Sequence, residues 1–443
     1  MFFGLQSIIQ KYLYGKVVTR GKIDEAESFF KAHVPTVKFN REGWTHILEK
    51  HGGMLPLEIR AVPEGTVVAP GNVLMTIHNT DPECYWLTNY VESILMHVWY
   101  PTTVCTRSRE QKRVILDYLK RTGDPSLIDF KLHDFGLRGS TSVESAAIGG
   151  VAHLVNFRGT DNMPAIMEAN ASYNVSQLCG PGFYDDIPEF PGFSIPASEH
   201  STMTSWLKEG EVDAMLNMLT IYPDTAFACV SDSYDIYNAC AEIWGNELRD
   251  LVMQRPENAP LIIRPDSGDP VHIVLKVIAI CGDKFGYTVN DKGFKVLNPR
   301  VRIIQGDGVN IHTIRDILDA LEDNKWSADN IAFGSGGALL QKVNRDTFKC
   351  AIKCSAILIE DGWLTLREVC KMPITASWKK SKAGLLALCR DESGDLRTVS
   401  HGFNPGHMFT QIPEDLLRPV FCNGRFVSEI DSLKEIRQRA RLE

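Results

Sequence analysis

The chain has 443 residues, 44% of them hydrophobic and 23% charged, which is the balance of a globular protein large enough for two domains. Its formal net charge of −8 argues against a general nucleic-acid binder, because such proteins neutralise phosphates with Lys and Arg. No apolar run is long enough to span a bilayer and the amino terminus lacks a secretory pattern, so we expect a cytoplasmic protein without a membrane partner.

Eleven cysteines are scattered from Cys84 to Cys422. Only Cys350 and Cys354 are close together, and no second cysteine pair completes a zinc site. Reduced, mostly buried thiols are therefore expected, as is usual in the cytoplasm.

Residues 1–127 are predicted to form a β-rich domain with helices. The β-rich part consists of short apolar runs separated by Pro and Gly turns, which is typical of an antiparallel sheet. The predicted strands contain Leu57, Thr66 and Val73, and the predicted helices cover Gly4 to Leu13, Trp86 to Tyr100 and Arg107 to Leu119.

The pattern changes at about residue 128, where apolar runs begin to alternate with helix-like segments. Runs that are apolar on both faces indicate a parallel sheet buried on both sides. Six such units favour a βα barrel over residues 128–360 rather than an open sheet. The runs begin at Ile128, His153, Ala226, Leu261, Val301 and Ile331.

Residues 361–443 form a third segment, in which the barrel pattern stops. A basic stretch from Lys371 to Lys382 precedes strand-like runs with an Asn423-Gly424 hairpin signal, and a charged helix is predicted over Ser428 to Arg441. We expect these strands to rejoin the amino-terminal sheet. The predicted fold class is thus α/β, an irregular parallel βα barrel plus a discontinuous β-rich domain formed by both ends of the chain.

Polar residues follow the predicted barrel strands, at the end where the active site of such a barrel collects. Solvated loop ends would explain one or two of them, but a rim this rich in Asp, Arg and Gly is more typical of a phosphosugar site. The residues are Asp134, Asp161, Asp232, Arg264, Asp266 and Asp307.

Two glycine loops are candidate ligand loops. Gly334-Ser-Gly-Gly lies between a strand and a helical run, where backbone N–H groups can approach a phosphate; the alternative is a tight turn. In Gly306-Asp307-Gly308, the Asp307 carboxylate could accept hydrogen bonds from ribose hydroxyls. The alternative is a helix cap by Asp307 or Asn310. Neither loop has the Gly-Lys-Ser/Thr of a P-loop, and an acidic pair followed by Thr-Thr-Gly is also absent.

Seven motifs, in order along the chain, strongly resemble those of nicotinamide phosphoribosyltransferases, and the resemblance extends from Phe2 to about Phe426. The motifs are His133-Asp-Phe-Gly-Leu-Arg-Gly, Leu154-Val-Asn-Phe-Arg-Gly-Thr-Asp, Pro196-Ala-Ser-Glu-His-Ser, Val230-Ser-Asp-Ser-Tyr-Asp-Ile-Tyr-Asn, Ile262-Ile-Arg-Pro-Asp-Ser-Gly, Ile304-Gln-Gly-Asp-Gly-Val and Ile331-Ala-Phe-Gly-Ser-Gly-Gly.

The resemblance implies a site for the pyridine ring and its amide. Phe135 matches the aromatic residue that stacks on one face of the ring. Asp161 matches the carboxylate that accepts the amide N–H, and Ser194 a hydroxyl near the amide. Arg138 matches a diphosphate-binding arginine, since a guanidinium fork suits phosphate oxygens.

The resemblance also implies a phosphoribosyl site. Its members would bind the amide or phosphates, the ribose hydroxyls and the 5′-phosphate. They are Arg264, Asp266, Gly306, Asp307, Gly336 and Gly337. Four basic residues match those that family members contribute across a homodimer interface to a shared active site, although a solvated basic loop would also explain the last two. They are Arg345, Lys353, Lys371 and Lys379.

His200 matches the histidine that ATP phosphorylates in the family. Glu199 precedes it, and Asp232 matches a carboxylate beside it that would orient the ring. A carboxylate on one ring nitrogen fixes the tautomer and makes the other nitrogen a better nucleophile.

The resemblance therefore implies an enzyme that joins nicotinamide to phosphoribosyl diphosphate and releases diphosphate, with Mg²⁺ and ATP as cofactors. The metal ligands stay open. The alternatives are a nicotinate phosphoribosyltransferase, against which Asp161 argues because it would repel a substrate carboxylate, and a catalytically weak binding or signalling relative.

Two departures from the family pattern stand out. Leu137 occupies a position where relatives usually have Tyr. Relatives also carry an amino-terminal Asp-Ser-Tyr-Lys segment, whose tyrosine stacks on the second face of the ring from the neighbouring subunit, and this segment does not occur here. We therefore expect weaker stacking of the pyridine ring.

Overall fold

A computed structural model of the chain describes residues 1–173, 189–375, 380–401, 414–427 and 429–442. Its strands, β1 to β16, are Leu57–Ala61, Met75–Asn79, Leu132–Asp134, Gly159–Thr160, Phe227–Val230, Leu261–Arg264, Tyr287–Val289, Lys295–Leu297, Val301–Gln305, Ile331–Ser335, Ala356–Asp361, Trp363–Glu368, Leu385–Arg390, Leu396–His401, Arg418–Cys422 and Arg425–Phe426. Its α-helices, α1 to α15, are Leu5–Tyr12, Arg20–His33, Arg41–Lys50, Leu87–Met96, Trp99–Thr122, Val143–Leu154, Met163–Tyr173, His200–Thr204, Glu211–Ile221, Ile236–Asn238, Arg249–Gln254, Pro270–Phe285, Ile311–Asp323, Gly337–Leu340 and Leu433–Arg439.

The chain divides into two compact units. The first contains Met1–Thr103, Asn344–Arg441 and a short stretch at 172–173; the second, which we call the barrel unit, contains Val104–Ala171 and residues 189–343. The sequence placed these divisions at 127 and 360.

The first unit joins the two ends of the chain in one antiparallel sheet. Its strand order is β16-β15-β1-β2, so the carboxy-terminal strand β15 pairs directly with β1, with a bulge between Ile59 and Arg60. Asn423 and Gly424 both have positive φ in the tight turn between β15 and β16, as the hairpin signal predicted. The discontinuous β-rich domain is therefore confirmed.

The barrel unit is built on a parallel sheet of strand order β4-β3-β10-β9-β6-β5. Residues 193–197 lie between the two edge strands: Phe193 bridges to Gly159 beside β4, and Ala197 bridges to Ala228 in β5. Each bridge carries backbone hydrogen bonds, which include Thr160 N to Phe193 O at 2.9 Å. The sheet thus curls round an irregular barrel, which confirms the predicted fold class.

Burial on both faces explains the apolar runs. All four residues of β5 are buried, as are four of the five in β9 and in β10. Helices such as α12 and α13 contribute their apolar faces, for example Val277 and Ile317, to the same core.

Two predicted strands are wrong. His153 and Leu154 end helix α6, and the parallel strand β4 begins only at Gly159, because a short apolar run does not distinguish a buried helix from a buried strand. The run at Thr66 is not a strand. In the part of the chain that is described, no helix combines the length and hydropathy needed to cross a membrane.

Glu64 is a buried carboxyl in the first unit. It accepts a hydrogen bond from the backbone N–H of Gln6 at 2.8 Å, and its own carbonyl accepts one from Arg439. Burial raises the pKa of Glu64 from 4.5 to about 7. The protonated carboxyl is therefore the form that favours folding.

We predict that Glu64→Gln flattens the pH dependence of the free energy of unfolding. Because the folded-state pKa is raised, the contribution of Glu64 is full below pH 4.5 and is lost as pH rises through about 7. Across that pH window, the free energy of unfolding of the variant should rise relative to that of the wild type by up to roughly 3 kcal/mol. Denaturant unfolding at a series of pH values measures this, with the exposed Glu49→Gln as control. Parallel curves for Glu64→Gln and wild type would contradict it.

Candidate active site

The parallel strands of the barrel unit bring the predicted residues to one rim. Asp161 follows β4, Asp232 follows β5 closely, Asp266 follows β6, and Asp307 follows β9. Parallel strands end at the same edge of a sheet, so these side chains are close together although they are far apart in sequence.

Phe135 follows β3 and lies over the backbone of β10. Its N–H donates to Ser335 O at 3.0 Å, and its ring lies on Gly334. A Cβ at position 334 would be 2.8 Å from Cζ of Phe135 and closer still to two other ring carbons, so only glycine admits the ring there. The Arg264 guanidinium lies 5.9 Å from the ring centroid. The aromatic ring is therefore fixed at the rim.

Asp134 is buried, although the sequence placed it on the rim. One carboxylate oxygen accepts the N–H of Gly136 at 2.7 Å, and the other accepts the Asn162 side-chain amide at 2.9 Å. The backbone N–H of Asp161 donates to the carbonyl of Asp134 at 3.0 Å. Burial raises the pKa of Asp134 to about 6. Asp134 thus ties the Phe135 turn to the Asp161 loop.

Asp161 is exposed at the rim and accepts a hydrogen bond from the Ser194 hydroxyl. Among the described residues, no N–H at the start of α7 is found to donate to its carboxylate. The two side chains therefore form a polar pair that can accept from a ligand donor.

A cavity of about 330 Å³ opens beside this pair and runs inside the barrel. Phe135, Asp161 and Ser194 line it at the carboxyl ends of the strands, and its walls are mainly apolar. Lys131 and Arg302 line its other part, and burial lowers the pKa of both, that of Lys131 to about 7. Its size and lining fit a small, flat, mostly apolar ligand with one polar end.

His200 starts helix α8 and lies between two carboxylates. Its Nε2 is 3.1 Å from Asp232 Oδ1, and its Nδ1 is 3.8 Å from Asp266 Oδ2. Asp232 is in turn fixed by the backbone N–H of Asp266 at 3.1 Å and by the Ser267 hydroxyl at 2.5 Å. Asp232 therefore holds Nε2, while Nδ1 lies on the side of Asp266.

Glu199 contacts the start of helix α8, whereas Asp232 contacts the His200 ring. Its carboxylate caps α8 by accepting the N–H of Ser201 at 2.8 Å, and it lies 3.9 Å from Arg138. The hydrogen bonds from Ser201 lower the pKa of Glu199. Glu199 thus fixes the helix start that carries His200, and Arg138 remains largely exposed beside it.

Arg264 has an unsatisfied buried donor. Its Nη2 donates to Asp266 at 2.9 Å, but its Nε has no hydrogen-bond partner within the described ranges. A Cβ at Gly306 would lie 3.4 Å from this Nε and 3.0 Å from Asp266 Oδ1. An unpaired buried donor costs about 1–3 kcal/mol, so Nε is poised for an acceptor supplied by a ligand.

The two glycine loops lie at the ends of β9 and β10. Asn310, rather than Asp307, caps helix α13 through the N–H groups of His312 and Thr313, and Asp307 stays exposed. Gly336 and Gly337 begin α14, and a Cβ at Gly337 would have no atom within 4 Å. Both loops are therefore open to a ligand.

Three of the predicted basic residues lie in the first unit. Arg345 pairs with Asp346 at 3.1 Å, Lys353 lies 3.8 Å from Glu92, and Lys371 is exposed. Lys379 lies outside the described residues.

Several residues of the site were not singled out from the sequence. Ser267 follows Asp266 in its motif, so its place at Asp232 had a sequence signal. Asn162 follows Asp161 in the same way. No sequence signal indicated Lys131, because its side chain donates to three backbone carbonyls that only the fold brings close to it.

Two family models match the chain. Residues 130–425 match the nicotinate phosphoribosyltransferase (NAPRTase) family, and residues 1–59 match the amino-terminal domain of nicotinamide phosphoribosyltransferases. The second match covers helices α1 to α3, so the amino-terminal part of the chain also resembles the family.

Curated relatives match over nearly the whole chain. A nicotinamide phosphoribosyltransferase of Xanthomonas campestris is 46% identical over 99% of this chain and 90% of its own length. One of Acinetobacter baylyi is 32% identical over 99% of this chain and 88% of its own. Among solved structures, a nicotinate-nucleotide pyrophosphorylase from Pyrococcus furiosus has a TM-score of 0.53 at 15% identity, over 87% of this chain and 80% of that one. This last likeness supports the fold alone.

We predict that Gly334→Ala destabilises the barrel unit, because the added methyl group must displace the Phe135 ring. Overpacking of this kind costs about 1–3 kcal/mol. Denaturant unfolding measures the loss. Gly139→Ala is the matched control, since its Cβ would have no neighbour closer than 4.0 Å, and it should change the free energy of unfolding by less than about 0.5 kcal/mol. Equal effects of the two substitutions would contradict the role assigned to Gly334.

Proposed function

The chain belongs to the nicotinate phosphoribosyltransferase family, and from that premise we propose that it transfers the phosphoribosyl group of phosphoribosyl diphosphate to nicotinamide in NAD salvage. The pyridine nitrogen forms a bond to C1 of the ribose, the C1–O bond breaks, and diphosphate leaves with the bonding electrons. The products are nicotinamide mononucleotide and diphosphate.

The pair formed by Asp161 and Ser194 beside Phe135 is the observation that favours nicotinamide as the acceptor of the phosphoribosyl group. An aromatic ring placed on Phe135 would direct its substituent toward this pair at the mouth of the cavity. An ionised carboxylate there accepts an amide N–H in a charge-assisted hydrogen bond and repels a substrate carboxylate. Nicotinamide therefore fits the site better than nicotinate.

Cationic side chains and backbone N–H groups at the same rim support phosphoribosyl diphosphate as the second substrate. The unpaired Arg264 Nε would donate to a substrate oxygen, and Arg138 would bind the diphosphate. The open loops at Gly306 and Gly336 would accommodate the ribose and the 5′-phosphate. A neutral pyridine is a weak nucleophile, so bond breaking leads, and catalysis consists mainly of positioning and charge stabilisation.

Mg²⁺ fits this rim, because carboxylate and phosphate oxygens are the donors it prefers. Asp266 and Asp307 would hold it, and it would neutralise the leaving diphosphate. ATP is proposed as a second substrate. His200 Nδ1, with Nε2 held by Asp232, would take the γ-phosphoryl group while ADP leaves, and hydrolysis of the phosphohistidine would drive synthesis.

A cytoplasmic homodimer with shared active sites completes the proposal. Arg345, Lys353, Lys371 and Lys379 are the basic residues that a second copy would contribute, as the resemblance implies. A diphosphate with several negative charges would gain from such cations.

We predict that Asp161→Asn lowers turnover of nicotinamide and raises that of nicotinate. The substitution keeps the shape of the side chain but removes the charge that rewards an amide and repels an acid. The ratio of the two kcat/KM values should fall by at least about tenfold. Competition kinetics with both substrates measures it. Asp316→Asn, an exposed carboxylate on α13, is the control. An unaltered ratio for Asp161→Asn would rule out the proposed amide site.

We predict that His200→Ala retains slow synthesis but loses stimulation by ATP. Imidazole removal at a rim position costs little stability, whereas the only proposed phosphate acceptor is lost. Rates with and without ATP, and label from γ-labelled ATP on the protein, are the measurements. His312→Ala, an exposed histidine on α13, should behave like the wild type. Undiminished ATP stimulation of His200→Ala would refute the phosphohistidine.

A further inference from the structure

Four potential metal ligands meet in the first unit, and none of them is among the residues assigned to catalysis. They are His46 on α3, His51 just after it, and Asp81 and Cys84, which follow β2; their ligand atoms all lie within 4.8 Å of one another. Asp81 Oδ2 is 2.9 Å from His46 Nε2 and 2.7 Å from His51 Nε2. The Cys84 side chain is fully buried beside them.

The spacing of these residues is that of a zinc site. His46 and His51 form a His-x₄-His pair, and Asp81 and Cys84 form an Asp-x₂-Cys pair on a single 3₁₀ turn. Structural zinc sites combine such pairs, typically Cys-x₂₋₄-Cys with His-x₃₋₅-His. An Asp in place of one cysteine keeps an anionic ligand.

The interatomic distances fit the same ion. Tetrahedral Zn²⁺ with bond lengths of about 2.0–2.3 Å separates its ligand atoms by about 3.3–3.7 Å. The two His–Asp distances are slightly shorter than this, and the set as a whole lies within 4.8 Å. Shifts of well under 1 Å in the His–Asp pairs would therefore make room for the ion.

The surrounding packing fixes both halves of the cluster. Trp44 on α3 packs edge-to-face on Trp86 at 4.8 Å and on Tyr90 at 5.2 Å, which holds α3 against the segment that carries Cys84. Asp81 is also positioned by its other oxygen, which accepts the N–H of Glu83 at 3.1 Å. Preformed ligands of this kind reduce the ordering cost of binding.

We propose that His46, His51, Asp81 and Cys84 bind one Zn²⁺. Imidazole and thiolate ligands favour zinc over Mg²⁺ or Ca²⁺. On binding, the Cys84 thiol releases its proton to solvent and the sulfur bonds to the metal. Lys50, whose Nζ is 3.0 Å from Asp81 Oδ2 and whose side chain is 57% exposed, leaves the carboxylate to the ion. The site carries no open coordination position for a substrate, so its role is to hold α3 to the turn after β2.

Metal uptake by the untagged full-length chain tests the proposal. After treatment with a chelator, the protein should bind one Zn²⁺ per chain, with a rise in melting temperature. Co²⁺ should give the visible spectrum of a tetrahedral site and a thiolate charge-transfer band. The double variant His46→Asn with His51→Asn should weaken binding at least about a hundredfold, and Cys84→Ser should remove the charge-transfer band.

Matched variants make the result specific. Lys50→Gln removes the cation that competes for Asp81 and should tighten zinc binding. His33→Asn and Cys354→Ser, exposed residues of the same unit outside the cluster, should leave affinity and spectrum unchanged. A chain that takes up no stoichiometric Zn²⁺, or a His46/His51 double variant with unchanged affinity, would overturn the proposal.

Discussion

Parallel hydrogen bonding in the barrel is the constraint on which the candidate site depends. The pairing of β3 with β10 sets Asp134 beside Ser335, and the pairing of β5 with β6 sets Val230 beside Arg264. A shift by one residue in either pair would turn the strand-end side chains to the opposite face. The site is therefore specified by the register of buried apolar strands that contribute few reacting groups themselves.

The rim couples stability to ligand binding through its charges. His200 lies between Asp232 and Asp266, and Asp266 is balanced by Arg264. Within the described residues, each carboxylate accepts at least one hydrogen bond, whereas the buried Nε of Arg264 has no partner. This unsatisfied donor destabilises the folded protein in the absence of a ligand. A ligand that supplies an acceptor removes the penalty, which adds to its binding free energy.

Sequence patterns predicted the barrel, the joined terminal sheet and the strand-end residues, because apolar periodicity and motif order are local properties. They misplaced His153, since a buried helix and a buried strand have the same composition. They could not show that Asp134 is buried or that Glu199 caps a helix, because both depend on contacts distant in sequence or on side-chain direction. The cluster of His46 with Cys84 is not visible in the sequence, because it joins two segments that only the fold brings together.

The pairing of β1 with β15 has a consequence for biosynthesis. Residues 57–61 pair with residues 418–422, which are synthesised much later than they are. Contacts this remote in sequence form slowly, because a long loop must close first. The barrel strands, in contrast, are complete by residue 335. During synthesis the barrel can thus fold around its own core while the amino-terminal strand still exposes an unpaired edge, the period in which a nascent chain is most open to aggregation and to chaperones.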